Sequence, residues 1–133
     1  MHPRVSGKAA RIVVADDDEQ MRRLVVEALR RDGHLVEHAS SGEALLTRLA
    51  AELDDRCSGL DLIISDVRMP AFTGLDLLEA LRATECETPV ILMTAFPDEA
   101  TRLHARRLNA VLFDKPFDVD DLRTATIHLL RSA

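Results

Sequence analysis

At 133 residues the chain is long enough to bury one full apolar core and leaves nothing over for a second domain. A composition of 47% hydrophobic and 30% charged residues, with five Gly, five Pro and no low-complexity tract, excludes a disordered chain, and four Phe without Trp or Tyr leave the core to aliphatic residues. The net charge of -6, with no Lys/Arg cluster interleaved with aromatics, disfavours direct nucleic-acid binding, and apolar runs no longer than a strand exclude a signal peptide or membrane span and predict a cytoplasmic protein.

Residues 1–10 read as a polar leader and 11–131 as the folded unit. Ile12-Val13-Val14-Ala15 is a short apolar run that ends abruptly in Asp16, Asp17, Asp18 and Glu19. Such runs, repeated at Leu62-Ile63-Ile64 and Val90-Ile91-Leu92-Met93, read as strands buried on both faces. After the first, Met21, Leu24, Val25, Ala28 and Leu29 follow helical spacing, Asp32-Gly33 supplies a stop, and His34 to His38 reads as the second strand. Further helices are predicted from about Ser41 to Glu52, Gly74 to Ala83, Asp98 to Leu108 and Asp118 to Arg131, the fourth being the least amphipathic. Strands alternating with helices through short loops predict an α/β fold, a doubly wound parallel sheet covered on both faces. Cys57 and Cys86 show neither metal-ligand spacing nor a disulfide framework and read as inert thiols in a reducing compartment. Both nonetheless fall just before neighbouring strands and so approach each other at the edge opposite the acids, which makes a disulfide between them the minor alternative.

In such sheets ligands bind beyond the carboxyl ends of the strands. That edge gathers Asp16 to Glu19 after the first strand and Asp66 after the third. Taken singly, Asp18 is an ordinary helix N-cap and Asp66 a loop residue. Together, two carboxylates about 4 Å apart repel by roughly 4 kcal/mol at an effective dielectric near 20. A helix N-terminus returns only about 0.3 to 1 kcal/mol per acid, so a bound cation or a raised pKa is required. All the donors are hard oxygens, which suits magnesium, or manganese, better than zinc. Thr94 closes the fourth strand and Lys115 follows the fifth, each unremarkable alone. With Asp66 as nucleophile they complete a cradle for a phosphoryl group.

These segments resemble the receiver domain of two-component response regulators, in its single-domain form, over roughly Arg11 to Arg131. Ile12 to Asp18 is similar to that family's acidic-pair strand. Counting back from Arg22, the resemblance implies Asp17 as the direct metal ligand and Asp16 as a ligand through water. Leu62 to Pro70, followed by Gly74, resembles the phosphoacceptor loop, which implies Asp66 and the backbone carbonyl of Arg68 as further metal ligands. Leu92-Met93-Thr94-Ala95 and Asp114-Lys115-Pro116-Phe117 resemble the switch-threonine strand and the Lys-Pro motif. The resemblance implies a flavodoxin-like strand order 2-1-3-4-5 with five helices and a cis Lys115-Pro116 bond. It also implies phosphorylation of Asp66 by a sensor histidine kinase or histidine phosphotransfer protein, with Asp66, Thr94 and Lys115 catalysing only the domain's own modification. With no output domain after Arg131, an unknown downstream protein is the expected reader, on a face built by helix four, strand five and helix five that includes Ile127. A monomer or a weak phosphorylation-dependent dimer is expected.

One position departs from the family pattern: Leu112 stands where Tyr or Phe is usual, with Phe113 one place late, so switching is expected to rely on the loop from Ala95 and on helix four. Arg68 and Phe96 flank the path of an attacking water, and an apolar Phe96 cannot orient one, so slow self-hydrolysis is expected. Among the alternatives, a haloacid-dehalogenase-like phosphatase wants a second acid where Arg68 stands, and a nucleotide binder wants a Ser/Thr/Gly-rich loop where the acids stand. A degenerate receiver acting as a binding module is opposed by the complete residue set.

Overall fold

The computed structural model describes residues 9–45, 47–48, 59–69, 73–96 and 98–132. Five strands, β1 (Arg11–Ala15), β2 (Leu35–Ala39), β3 (Leu62–Asp66), β4 (Val90–Thr94) and β5 (Ala110–Asp114), form one parallel sheet in the order β2-β1-β3-β4-β5. The helices are α1 (Glu19–Arg31), α2, described at 42–45 and 47–48, α3 (Gly74–Ala83), α4 (Glu99–Arg107) and α5 (Val119–Ser132). The predicted order and helix count are both met. Most of the polar leader, the end of the predicted second helix and Cys57 lie outside the described residues.

Period-two alternation splits the core into two layers. Ile12, Val14, Leu62, Ile64, Ile91 and Met93 point to the side covered by α1 and α5, whereas Val13, Ala15, Ile63, Val90 and Leu92 pack with Leu77, Leu78 and Leu81 of α3. The inner strands β3 and β4 are buried at all five positions, as continuous apolar runs require, while the edge strand β2 leaves Leu35, Glu37 and His38 exposed. Arg30 guards that edge by donating to the Val36 carbonyl at 2.7 Å, setting a charge where another strand could pair. A bidentate pair from Arg123 to Asp32, at 2.7 and 2.8 Å, ties α5 to the end of α1.

Three expectations are corrected. Leu24 is 48% exposed, because α1 turns Val25, Val26, Ala28 and Leu29 to the sheet and Leu24 falls off that stripe. The fourth helix is not distinguished by weak periodicity; it is simply polar, and Ala105 is its one buried residue. Cys86 is buried and disulfide-bonded rather than an inert thiol, since spacing along the chain carries no record of which sulfur a buried cysteine meets.

Gly74 opens α3 against the end of β3, where an added Cβ would lie 2.6 Å from the Asp66 carbonyl oxygen and 3.1 Å from Leu92. Both neighbours are core, so Gly74→Ala is expected to cost about 2 kcal/mol by overpacking. The gain in helix propensity, at most about 1 kcal/mol, does not offset this. Thermal unfolding checks it: a Tm unchanged or raised would mean that α3 can slide away from β3 freely.

Candidate phosphoacceptor and metal site

The carboxyl ends of β1, β3, β4 and β5 converge on one acidic cluster. Asp16, directly after β1, is fully buried and held at every polar atom. Its amide donates to the Ala39 carbonyl (3.2 Å) and its carbonyl accepts from an Arg22 terminal nitrogen (2.8 Å). Its Oδ1 accepts from the Asp18 amide (2.9 Å) and its Oδ2 from Lys115 Nζ (3.0 Å). Asp18 caps α1, accepting from the Gln20 and Met21 amides, which accounts for it without chemistry. Asp17 is exposed, yet one carboxylate oxygen from each of Asp16, Asp17 and Asp66 falls within a 4.8 Å cluster.

Asp66 ends β3 and is 7% exposed. Its Oδ1 accepts from the Arg68 amide at 3.3 Å and its Oδ2 from Lys115 Nζ at 3.2 Å. Burial pushes its pKa up, and the Asp16 charge adds to this; Lys115 and the Arg68 amide oppose the shift without cancelling it. Burial alone would lower the pKa of Lys115, but its bonds and charge attraction to Asp16 and Asp66 outweigh that and raise it. One ammonium thus bridges two buried carboxylates at the ends of different strands, which leaves the pair short of one positive charge.

Thr94 is buried at the end of β4, one residue beyond Met93, the register partner of Asp66. Its Oγ1 accepts from the Phe96 amide at 3.1 Å, so its own hydrogen is free to donate elsewhere. Lys115 is brought in after β5 by a 2.6 Å bond from its amide to the Thr94 carbonyl, and the Lys115-Pro116 bond is cis, as expected. Arg68 meets the cluster through its amide, while its guanidinium lies 4.9 Å from the centroid of the Phe96 ring, itself 62% exposed. All six residues singled out in the sequence, Asp16, Asp17, Asp66, Arg68, Thr94 and Lys115, therefore stand at one edge of the sheet.

Three carboxylate oxygens, two on buried residues and one on exposed Asp17, with too little positive charge fit a hard divalent cation, and no nitrogen or sulfur donor competes among the clustered residues. Two structural residues escaped the sequence reading. Arg22 served there only as a landmark, although it reaches back from the first turn of α1 to the Asp16 carbonyl. Arg82 joins α3 to the segments before β4 and β5 through the carbonyls of Cys86, Thr88 and Leu108. Neither contact has a sequence signal, because each acceptor is a backbone oxygen.

The sequence and fold also match known proteins. Residues 12–127 match the family model of the response regulator receiver domain. The chain is 36% identical over 115 residues to regulatory protein AtoC of Escherichia coli (strain K12), covering 84% of this chain and 23% of that protein. It is 28% identical over 116 residues to sporulation initiation phosphotransferase F of Bacillus subtilis (strain 168), covering 86% and 89%. The solved structure of chemotaxis protein CheY4 of Vibrio cholerae superposes with a TM-score of 0.77 at 26% identity, over 92% of this chain and 99% of that one. The chain spans about a quarter to a half of the length of the first curated relatives, AtoC and the CpxR regulators, that it matches. No helix among the described residues is long and apolar enough to cross a membrane.

Proposed function

The chain belongs to the response regulator receiver domain family, and from that premise we propose that Asp66 accepts a phosphoryl group from a phosphohistidine of a sensor histidine kinase or histidine phosphotransfer protein, in a magnesium-dependent reaction within a domain spanning 11–131. The observation that carries this reading is the bridge from Lys115 Nζ to Asp16 at 3.0 Å and Asp66 at 3.2 Å, which sets a nucleophile, an acidic pair and a phosphoryl-binding cation together. Asp16, Asp17, Asp66 and the Arg68 carbonyl would hold magnesium, which supplies positive charge to the phosphoryl oxygens; manganese suits the same donors.

In the transfer an Asp66 carboxylate oxygen bonds to phosphorus as the phosphorus–nitrogen bond of the donor breaks, its electron pair leaving with the imidazole. Lys115, already at the nucleophile, offsets charge on the phosphoryl oxygens, and the Thr94 hydroxyl donates its free hydrogen to one of them. Everything beyond positioning and electrostatics comes from the donor, so the domain modifies itself and signals through protein contacts. Leu103 of α4 and Ile127 of α5, 40% and 39% exposed, belong to the face that would be read by a downstream protein. Incubation with acetyl phosphate and magnesium, read by intact mass, should add one phosphoryl group and should fail in excess chelator. An equal yield without divalent ion would overturn the metal dependence.

Arg68 and Phe96, two residues beyond Asp66 and Thr94, meet with the guanidinium over the ring, and neither group can act as a base to activate water. Phe96→Glu supplies an acceptor that can orient one. Loss of the phosphoryl group, followed after removal of the donor, should be faster in this variant than in wild type, and an equal or slower rate would remove Phe96 from any role in its lifetime.

A further inference from the structure

Asp17 is the exposed member of the acidic group, and among the described residues its carboxylate has no hydrogen bond or ion pair to aim it. Its direction must come from the two peptide planes that flank it. The plane before it ends in the Asp16 carbonyl, held by the Arg22 guanidinium at 2.8 Å. The plane after it ends in the Asp18 amide, held by Asp16 Oδ1 at 2.9 Å. The second contact is internal to the acidic loop, whereas the first anchors that loop to the body of α1, whose Arg22 amide also bonds the Asp18 carbonyl at 2.9 Å. The guanidinium keeps this position although its Nε is buried without a hydrogen-bond partner and Arg23, Arg30 and His38 line the same hollow between α1 and β2. Glu27 also lines the hollow, but among the described residues the hydrogen bond of the guanidinium goes to the Asp16 carbonyl.

We propose that Arg22 is a positioning residue for the cation site: by gripping the Asp16 carbonyl it fixes the peptide that aims the Asp17 carboxylate at the ion. This rests on the metal reading above and adds to it a residue that touches neither ion nor phosphoryl group.

The sign of the effect separates positioning from plain charge. A guanidinium near the site repels a cation, so by Coulomb's law alone its removal would tighten metal binding. Loss of an outer support instead loosens it, typically by about 10- to 100-fold. Direct Mn2+ titration followed by the EPR signal of the free ion, on protein not exposed to any phosphodonor, reads this without activity. Arg22→Met should bind Mn2+ at least about 10-fold more weakly than wild type, and Arg22→Lys, which keeps the charge and one donor, should recover part of the loss. Because Arg22 acts through Asp17, Arg22→Met should cost little further affinity in an Asp17→Asn background, whereas a general loosening of the fold would cost as much there as in wild type. Unchanged or tighter binding in Arg22→Met, or a full additional loss in the Asp17→Asn background, overturns the proposal. Wild-type protein that takes up no Mn2+ overturns the metal reading and this inference together; wild-type uptake with Arg22→Met unaffected overturns this inference alone.

Discussion

Asp66→Asn is expected to abolish phosphorylation by acetyl phosphate and, at neutral pH, to yield a more stable protein than wild type. The first effect follows from the removal of the nucleophile, since among the described residues the other carboxylate against Lys115, Asp16, is fully buried after β1. The second follows from linkage. Burial, reinforced by Asp16, raises the Asp66 pKa above its ordinary value despite Lys115, so the native state binds this proton more tightly than the unfolded chain does. Stability therefore falls as pH rises from the ordinary aspartate range through the raised native value, and the whole cost is present above it. Asparagine keeps the shape and cannot ionise. Urea unfolding across the acid range should show wild type and Asp66→Asn converging at low pH and separating as pH rises, with the variant above. Phosphate incorporation persisting in the variant would falsify the site assignment, and a variant less stable than wild type at neutral pH would show that the Lys115 attraction outweighs desolvation.

Lys115→Met should destabilise the metal-free protein by about 3 kcal/mol, the lower end for removing one partner of a buried ion pair, or roughly 10 °C in Tm. Its side chain is 15% exposed and those of its two partners 0% and 10%, so solvent screens the attraction little and Asp16 and Asp66 are left facing each other. Methionine keeps most of the packing, which isolates the charge. Magnesium at constant ionic strength should recover much of the loss and should stabilise the variant more than wild type, because the ion then supplies the charge the lysine supplied. A deficit below about 1 kcal/mol, as for an exposed pair, would mean that the acids relax into water when released. Wild type should show a related loss at alkaline pH. The Lys115 pKa is raised in the fold, so its contribution is complete below the ordinary lysine value and disappears as pH climbs through the native one.

The apolar runs, the Asp32-Gly33 stop and the helix from Gly74 to Ala83 were legible along the chain because burial on a strand or helix leaves a local period. The site residues were legible for a related reason: a parallel sheet brings every strand's carboxyl end to one edge, so chemistry-bearing residues placed just after apolar runs must meet. Leu112 and Phe113 show how far this reaches. A one-residue offset turns a strand side chain to the other face, and Leu112 accordingly joins the α3 layer while Phe113 packs edge-on against Phe117, with ring centroids 5.6 Å apart, in the α1 and α5 layer. The aromatic ring is thus withheld from the Thr94 side, in line with the departure noted in the sequence.

By itself, then, the sequence determined the sheet, its layers and the edge that carries Asp16, Asp17, Asp66, Thr94 and Lys115, since each depends on a residue's own polarity and its place in a local repeat. Only the tertiary structure decided that Leu24 faces solvent, that Cys86 is disulfide-bonded, that one ammonium serves two carboxylates and that Arg22 grips the Asp16 carbonyl. The physical reason is common to all four: each is settled by what a side chain meets across the fold, and a backbone carbonyl, a second sulfur or a neighbouring helix leaves no mark on the identity of the residues beside it in the chain.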